Sequence, residues 1–153
     1  MESDSFLTFT RPVWNGRTQR KMRVDWDCRA RENAFHYIAS SQTDWDTEEF
    51  YSSGKSSVAE TVLPDLDHIC RGRLAKNLRM LEIGCGAGRM THALSEVFGE
   101  VHGVDISGEM VAQGRRFLAG VPNVHLHHNN GSDLVVLGDL RFDFVFSFIV
   151  FQH

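Results

Sequence analysis

The sequence lacks a long hydrophobic segment. Its 153 residues are 42% apolar, yet the longest apolar run, residues 144–151, is interrupted by Ser147. That run is far shorter than the roughly 20 residues that cross a bilayer as a helix. The amino terminus carries Glu2 and Asp4 and has neither the basic start nor the apolar middle of a signal peptide. We therefore expect a cytoplasmic protein with no membrane partner.

The sequence also has few cysteines and no excess of positive charge. The three cysteines, Cys28, Cys70 and Cys85, are odd in number and form no C-x-x-C pair, which argues against a disulfide framework and a thiolate zinc site. A net charge of −4 gives no overall attraction to nucleic acid. The basic cluster near the amino terminus has no interleaved aromatic residues and comprises Arg17, Arg20, Lys21 and Arg23. We expect residues 1–23 to be a solvated tail and no nucleic-acid partner.

Residues 24–76 have the pattern of helices. Behind Asp25, a candidate N-cap, apolar side chains fall on one helical face at Trp26, Ala30, Ala34, Tyr37 and Ile38. A second, acid-started helix is predicted from Asp44, with its end at Ser52-Ser53-Gly54. A third is predicted over residues 57–71, where Pro64 kinks or splits it.

From Leu78 onward, short apolar runs alternate with helix-length segments. Strands are predicted over residues 78–83, 101–105, 123–128 and 142–147, with helices over about 88–98 and 107–118. This order indicates βαβ units and a parallel sheet. The last strand is apolar on both faces and places four phenylalanines on one of them, at Phe142, Phe144, Phe146 and Phe148. We therefore expect it to be central in a sheet.

The first strand runs into a glycine turn, Glu82-Ile83-Gly84-Cys85-Gly86-Ala87-Gly88. Glycines let the backbone turn sharply and let a ligand approach closely. The turn is not a dinucleotide fingerprint, because Arg89 stands where glycine or alanine is needed, and no Gly-Lys-Ser/Thr follows to make a phosphate loop. Glu82 would repel a pyrophosphate and attract a cationic group. Asp105 ends the second strand at the separation expected for a ribose-binding carboxylate.

These residues resemble the class I S-adenosylmethionine-dependent methyltransferases. The family's glycine motif, acidic-x-Gly-x-Gly-x-Gly, is matched by residues 82–88, and its ribose-binding acid is matched by Asp105. The resemblance implies an α/β fold with a Rossmann-like parallel sheet in residues 77–153, preceded by a helical lid in residues 24–76. It also implies S-adenosylmethionine as cofactor and methyl transfer to an unidentified small-molecule acceptor.

The resemblance also implies roles for individual residues. Glu82 would help place the cofactor's amino group, Asp105 would accept both ribose hydroxyls, and Asn130-Gly131 stands where the family reads adenine with Gly-Asp. The other implied cofactor contacts are Gly84, Cys85, Gly86, Gly88, Ile106, Met110, Ser147 and Phe148, with Tyr51 from the lid. His153 is the one candidate base, and a terminal histidine without function is the alternative.

A histidine-rich segment, His125, His127 and His128, raises the alternative of a metal site. No Asp, Glu or Cys stands at a recognisable ligand spacing in the sequence, so polar residues on an edge strand are the preferred interpretation. The expectation is that the chain binds no metal.

The resemblance implies seven strands, of which this sequence supplies four. We therefore expect an incomplete sheet, with strand 142–147 unpaired on one edge and its phenylalanine face uncovered. The hypothesis that follows is an N-terminal fragment of a methyltransferase, unless a partner chain completes the sheet through that edge. Two alternatives to a catalyst remain. One is a non-catalytic cofactor-binding module, and the other is an NAD-dependent oxidoreductase, which Glu82 and Arg89 disfavour.

Overall fold

The structure is a computed structural model, and it describes residues 16–150. The helices are α1 (Gly16–Ile38), α2 (Thr47–Thr61), α3 (Leu66–Cys70), α4 (Arg89–Val97) and α5 (Gly108–Phe117). The strands are β1 (Arg79–Ile83), β2 (Glu100–Asp105), β3 (Val124–His128) and β4 (Phe144–Ser147). Short 3₁₀ turns occupy Leu63–Asp65, Ala75–Asn77 and Val135–Leu137.

The four strands form one parallel sheet in the order β3-β2-β1-β4. The predicted alternation of strands and helices and the parallel sheet are thus confirmed, with boundaries within two residues. In this order the carboxyl ends of β1 and β2 lie side by side, with Ile83 paired to Val104. The glycine turn after β1 is therefore held next to Asp105 at the end of β2.

The main apolar core lies on one face of the sheet. In this core, Met80 of β1 and Val101 of β2 pack with Leu94 of α4 and with Phe98, which directly follows that helix. Helix α2 packs over the same core through Val58. All five side chains are buried. At about 1.5 to 3 kcal/mol for each large apolar side chain removed from water, this layer ties α2 and α4 to the sheet.

The position of β4 confirms one expectation and corrects another. Among the described residues β4 is an edge strand paired only to β1, as expected for an incomplete sheet. Its phenylalanine face is not bare, because Phe144, Phe146 and Phe148 pack against the main core, whereas Phe142 joins a separate cluster with Leu81. The more exposed face is the opposite one, where Val145 is 53% exposed.

The first helix begins earlier in the chain than predicted. Helix α1 begins at Gly16, so the described part of the expected tail, including Arg17 to Arg23, is helical. Arginine and lysine are good helix formers, but an exposed helix with no apolar stripe gives no periodic signal. The backbone of α1 kinks at Asn33 (φ −164°, ψ 84°), whose Oδ1 accepts a hydrogen bond from the His36 amide at 3.1 Å.

Gly54 does not end α2. The helix begins after Asp46, whose carboxylate accepts a hydrogen bond from the Glu49 amide, and continues through Gly54 to Thr61. Gly54 is needed for packing, because a Cβ there would overlap the carbonyl oxygen of Arg89. Beyond Thr61 the predicted effect of Pro64 is confirmed, since the helix is split there by a 3₁₀ turn before α3.

Within the described residues, no helix is both long enough and apolar enough to cross a membrane.

Candidate functional site

A cavity of about 690 Å³ opens at the carboxyl ends of β1 and β2. From the predicted set it is lined by Glu82, Gly84, Cys85, Gly86, Asp105, Met110 and Phe148. Cavities that bind small molecules have volumes of roughly 300 to 1,000 Å³. The glycine turn follows β1, and Asp105 ends the neighbouring strand β2. The backbone of the turn and the carboxyl groups of Glu82 and Asp105 therefore border one ligand-sized cavity.

The glycine turn has the backbone that its sequence predicts. Gly84 (φ 77°), Gly86 (φ 54°) and Gly88 (φ 86°) are all left-handed, a conformation that side-chain-bearing residues rarely adopt. A Cβ at Gly84 would also overlap the side chain of Val150. Other residues at these positions would strain the turn.

Asp105 fixes the position of this turn. Its Oδ2 accepts a hydrogen bond from the Gly86 amide at 2.8 Å, and its Oδ1 accepts one from the Ser107 amide at 2.8 Å. Burial raises the pKa of the Asp105 carboxyl, and the two amide hydrogen bonds oppose that rise. Each carboxylate oxygen retains acceptor capacity beyond its one amide.

Glu82 is buried beneath the turn, with only 4% of its surface exposed. Its Oε2 accepts a hydrogen bond from the Thr91 hydroxyl at 2.6 Å. Burial raises the pKa of Glu82 to about 8, although the Thr91 hydrogen bond and the charge of Arg89 both lower it. The sequence predicts a charged carboxylate here. The raised pKa instead favours the protonated form of Glu82 at neutral pH.

Arg89 is a cavity residue that the sequence analysis used only to exclude a dinucleotide. It is 8% exposed, and its Nη1 donates to Ser53 Oγ at 3.2 Å and to Ser57 Oγ at 3.0 Å. Its buried Nε has no hydrogen-bond partner among the described residues. Burial lowers the pKa of Arg89, and the nearby Glu82 opposes that change. A buried, partly unpaired guanidinium at a cavity wall is suited to a carboxylate.

Helix α1 closes another side of the cavity. Trp26, Arg29, Tyr37 and Ile38 line it, and the Arg29 guanidinium lies 4.7 Å from the ring centre of Trp26 and 5.6 Å from that of Tyr37. The helical spacing predicts that Trp26 and Tyr37 share a face, and both line the cavity although α1 kinks at Asn33 between them.

Asp27 anchors α1 to the strand end. Its Oδ1 accepts hydrogen bonds from the Ser107 hydroxyl at 2.6 Å and from the Glu109 amide at 3.2 Å. Ser107 is the N-cap of α5 and accepts from the Met110 amide. No short-range pattern links residues 27 and 107, so the sequence could not predict this contact.

Several predicted contacts do not line the cavity. These are Gly88, Ile106, Asn130, Gly131, Ser147 and Tyr51. The Tyr51 hydroxyl donates to the Ala87 carbonyl at 3.0 Å, so it supports the turn from behind. The Ser147 hydroxyl donates to the Ile83 carbonyl at 3.1 Å. The Asn130 oxygen already accepts from the amides of Ser132 and Asp133.

Two further residues bear on the chemistry of the site. Cys85 is buried, and burial raises the pKa of its thiol, which disfavours the reactive thiolate. His153, the candidate base, lies outside the described residues.

Comparison with known proteins supports the same interpretation. Residues 80–153 match a family described as a methyltransferase domain. The demethylmenaquinone methyltransferase of Staphylococcus aureus (strain MRSA252) is 37% identical over 73 residues, covering 46% of this chain and 30% of that protein. The dTDP-3-amino-3,6-dideoxy-alpha-D-glucopyranose N,N-dimethyltransferase of Streptomyces fradiae is 31% identical over 100 residues, covering 62% of this chain and 38% of that protein. The chain thus spans well under half the length of these curated relatives.

A solved structure shows the fold over a larger part of the chain. The magnesium protoporphyrin IX methyltransferase of Synechocystis PCC 6803, solved with bound S-adenosylmethionine, is 18% identical and superposes with a TM-score of 0.58. The match covers 90% of this chain and 64% of that one. Residues 80–153 therefore carry a methyltransferase domain, and the parallel sheet with its glycine turn has the fold of the class I S-adenosylmethionine-dependent methyltransferases.

Proposed function

We propose that the chain binds S-adenosylmethionine at the glycine turn and transfers its methyl group to a small-molecule acceptor. The observation that carries this proposal is that Glu82, the turn and Asp105 all border one cavity. The two curated relatives are named as methyltransferases of demethylmenaquinone and of a dTDP-linked amino sugar, which supports a small-molecule acceptor without identifying it.

The charged residues of the cavity fit the two ends of the cofactor's amino-acid part. Arg89 lines the cavity, and its guanidinium charge is suited to the carboxylate. Glu82 is suited to the ammonium group, because a cation at this position favours the ionised form of the carboxyl. The two side chains therefore hold a zwitterion in a defined orientation.

The nucleoside part fits the other half of the cavity. The Asp105 oxygens, each with one backbone hydrogen bond, have lone pairs left for two ribose hydroxyls. Met110 and Phe148 supply apolar surface for the remainder of the ligand. Adenine recognition by Asn130 and Gly131 stays a prediction, since neither residue lines the cavity.

When bound, the cofactor supplies an electrophilic methyl group on a sulfonium. The chain contributes by holding the acceptor and the methyl group in position for the reaction. The hydrogen bonds of Asp105, Thr91 and Arg89 hold the cavity walls, so that an acceptor can be aligned with the methyl group. Holding two reactants aligned can supply several kcal/mol, about 7 to 11 in well-oriented cases, without a dedicated base. Helix α1 lines another side of the cavity with Trp26 and Tyr37, and its proposed role is to help enclose the acceptor.

Calorimetric titration with S-adenosylhomocysteine and with NAD tests this proposal. We expect saturable binding of S-adenosylhomocysteine, weakened about tenfold or more by Asp105→Asn, since hydrogen bonds to a charged group are worth about 1.5 to 3 kcal/mol. Asp139→Asn, at an exposed position in a loop, is the matched control and should bind normally. Binding of NAD without S-adenosylhomocysteine would favour the oxidoreductase alternative and contradict the proposal.

A further inference from the structure

A cluster of histidines and one glutamate lies outside the cofactor cavity. Glu100 and His102 are two residues apart on β2 and therefore share a face of the sheet. The parallel register places His125 of β3 directly beside His102, and His127 two residues further along the same face. In the sequence, only the histidines of β3 stand out as a cluster. The strand register adds a carboxylate and a third imidazole.

The ligand atoms of three of these residues converge. One nitrogen or oxygen from each of Glu100, His102 and His125 lies within 4.8 Å of the others. Glu100 Oε1 is 2.7 Å from His102 Nε2 and 3.8 Å from His125 Nε2. In a tetrahedral zinc site, with bonds near 2.0 to 2.2 Å, ligand atoms are separated by about 3.4 Å. Small side-chain adjustments therefore bring these three atoms to coordination distance.

We propose that Glu100, His102 and His125 bind a divalent transition-metal ion, with zinc as the ion that the donor set fits best. Two imidazoles and one carboxylate are a common set of protein ligands for zinc, and they leave a fourth position for water. His125 and Glu100 are partly exposed, with 45% and 32% of their side chains accessible, so an ion can enter from solvent.

The surroundings hold the ligands in place. Arg79 of β1 donates to Glu100 Oε2 at 2.8 Å, which leaves Oε1 directed at the histidines. His127 Nε2 lies 2.9 Å from His102 Nδ1. A metal on Nε2 of His102 requires the ring proton on Nδ1, which then donates to His127. We therefore assign His127 as a positioning residue, because such outer partners fix the tautomer and orientation of a ligating histidine.

The cluster is separate from the cofactor cavity. None of Glu100, His102, His125 and His127 lines that cavity. His102 precedes Asp105 by three residues of extended strand, or about 10 Å. The metal proposal can therefore fail without affecting the methyltransferase proposal, and the reverse also holds.

The test is a zinc titration of the chelator-treated, untagged chain in a Cys28→Ser background, because Cys28 is an exposed thiol. We expect one zinc ion per chain by calorimetry. His125→Ala should weaken binding at least about tenfold, since even outer-sphere changes cost about 10- to 100-fold. His68→Ala, an exposed histidine on α3, is the matched control and should leave the affinity unchanged. Because His125 is partly exposed, its loss should not prevent folding, which far-UV circular dichroism checks.

Two additional measurements sharpen the test. Zinc should raise the thermal unfolding temperature of the parent chain but not that of His125→Ala, because an ion that binds only the folded state stabilises it. His127→Ala should weaken zinc binding about tenfold, and His127→Gln, whose amide oxygen can accept from His102, should restore part of the affinity. Absence of stoichiometric zinc binding, or equal affinity in the parent and His125→Ala, overturns the proposal.

Discussion

The Thr91 hydroxyl donates a 2.6 Å hydrogen bond to Oε2 of Glu82, and both residues are buried at the base of the glycine turn. Thr91 lies on α4, one turn beyond the last glycine of the motif, whereas Glu82 lies on β1. This contact ties the helix that follows the turn to the strand that precedes it. It also holds in place a carboxyl group whose pKa is raised to about 8 by burial.

The first prediction concerns stability and pH. Because the pKa of Glu82 is higher in the folded chain than its ordinary value of 4.5, the folded state favours the protonated form. The free energy of unfolding should therefore fall as the pH rises from about 5 to 8, with an upper limit near 5 kcal/mol for this group. Denaturant unfolding at several pH values measures this. Glu82→Gln should flatten the dependence over this range, and an unchanged slope in the variant would show that Glu82 is not its source.

The second prediction concerns proton release on cofactor binding. A bound ammonium group lowers the pKa of Glu82, so a carboxyl that is protonated in the free chain should ionise in the complex. At pH 7 we expect up to about one proton to be released per ligand, a consequence of the pKa near 8. Calorimetric titrations with S-adenosylhomocysteine in buffers of different ionisation enthalpy measure it. Equal apparent enthalpies in all buffers would contradict the prediction, and Glu82→Gln should show no release.

The third prediction separates the two ends of the ligand. Arg89→Met removes the guanidinium proposed to bind the carboxylate and leaves Asp105 and its ribose site unchanged. Binding of S-adenosylhomocysteine should weaken about 10- to 100-fold, the loss expected for a charge-assisted hydrogen bond. Adenosine, which has no amino-acid part, should bind the variant and the parent equally well. An equal loss for both ligands would mean that Arg89 acts only through the fold.

The fourth prediction concerns the packing of α2 on the turn. In Gly54→Ala the new Cβ overlaps the Arg89 carbonyl, so α2 must move away from α4. We expect the free energy of unfolding to fall by about 1 to 3 kcal/mol, as for other overpacked sites. Gly120→Ala is the matched control, because nothing lies within 4 Å of a Cβ at Gly120. Similar effects of the two substitutions in urea unfolding would contradict this account of Gly54.

The strands and the glycine turn could be predicted from the sequence because their signals are local. The strands are apolar runs of strand length, and the three alternating glycines and the carboxylates Glu82 and Asp105 stand within 24 residues. The start of α1 could not be predicted, because residues 16–24 form an exposed helical segment without an apolar face. The end of α2 was wrongly predicted at Gly54. Glycine usually weakens a helix, but here the close packing of Gly54 on Arg89 outweighs that propensity.

Features that depend on tertiary contacts could not be predicted from the sequence. The Arg89 hydrogen bonds to Ser53 and Ser57 join segments more than 30 residues apart. The cluster that Glu100 and His102 form with the histidines of β3 depends on the strand register, which sequence spacing does not reveal. Glu82 was recognised as a site residue, but its protonation depends on burial, which only the packed structure supplies.

The most direct test of the central claim is a crystal structure of the chain with S-adenosylhomocysteine. The account predicts the ribose hydroxyls at the two oxygens of Asp105, the ligand ammonium group at Glu82 and its carboxylate at Arg89. A ligand bound away from the glycine turn, or one whose ribose makes no contact with Asp105, would contradict it.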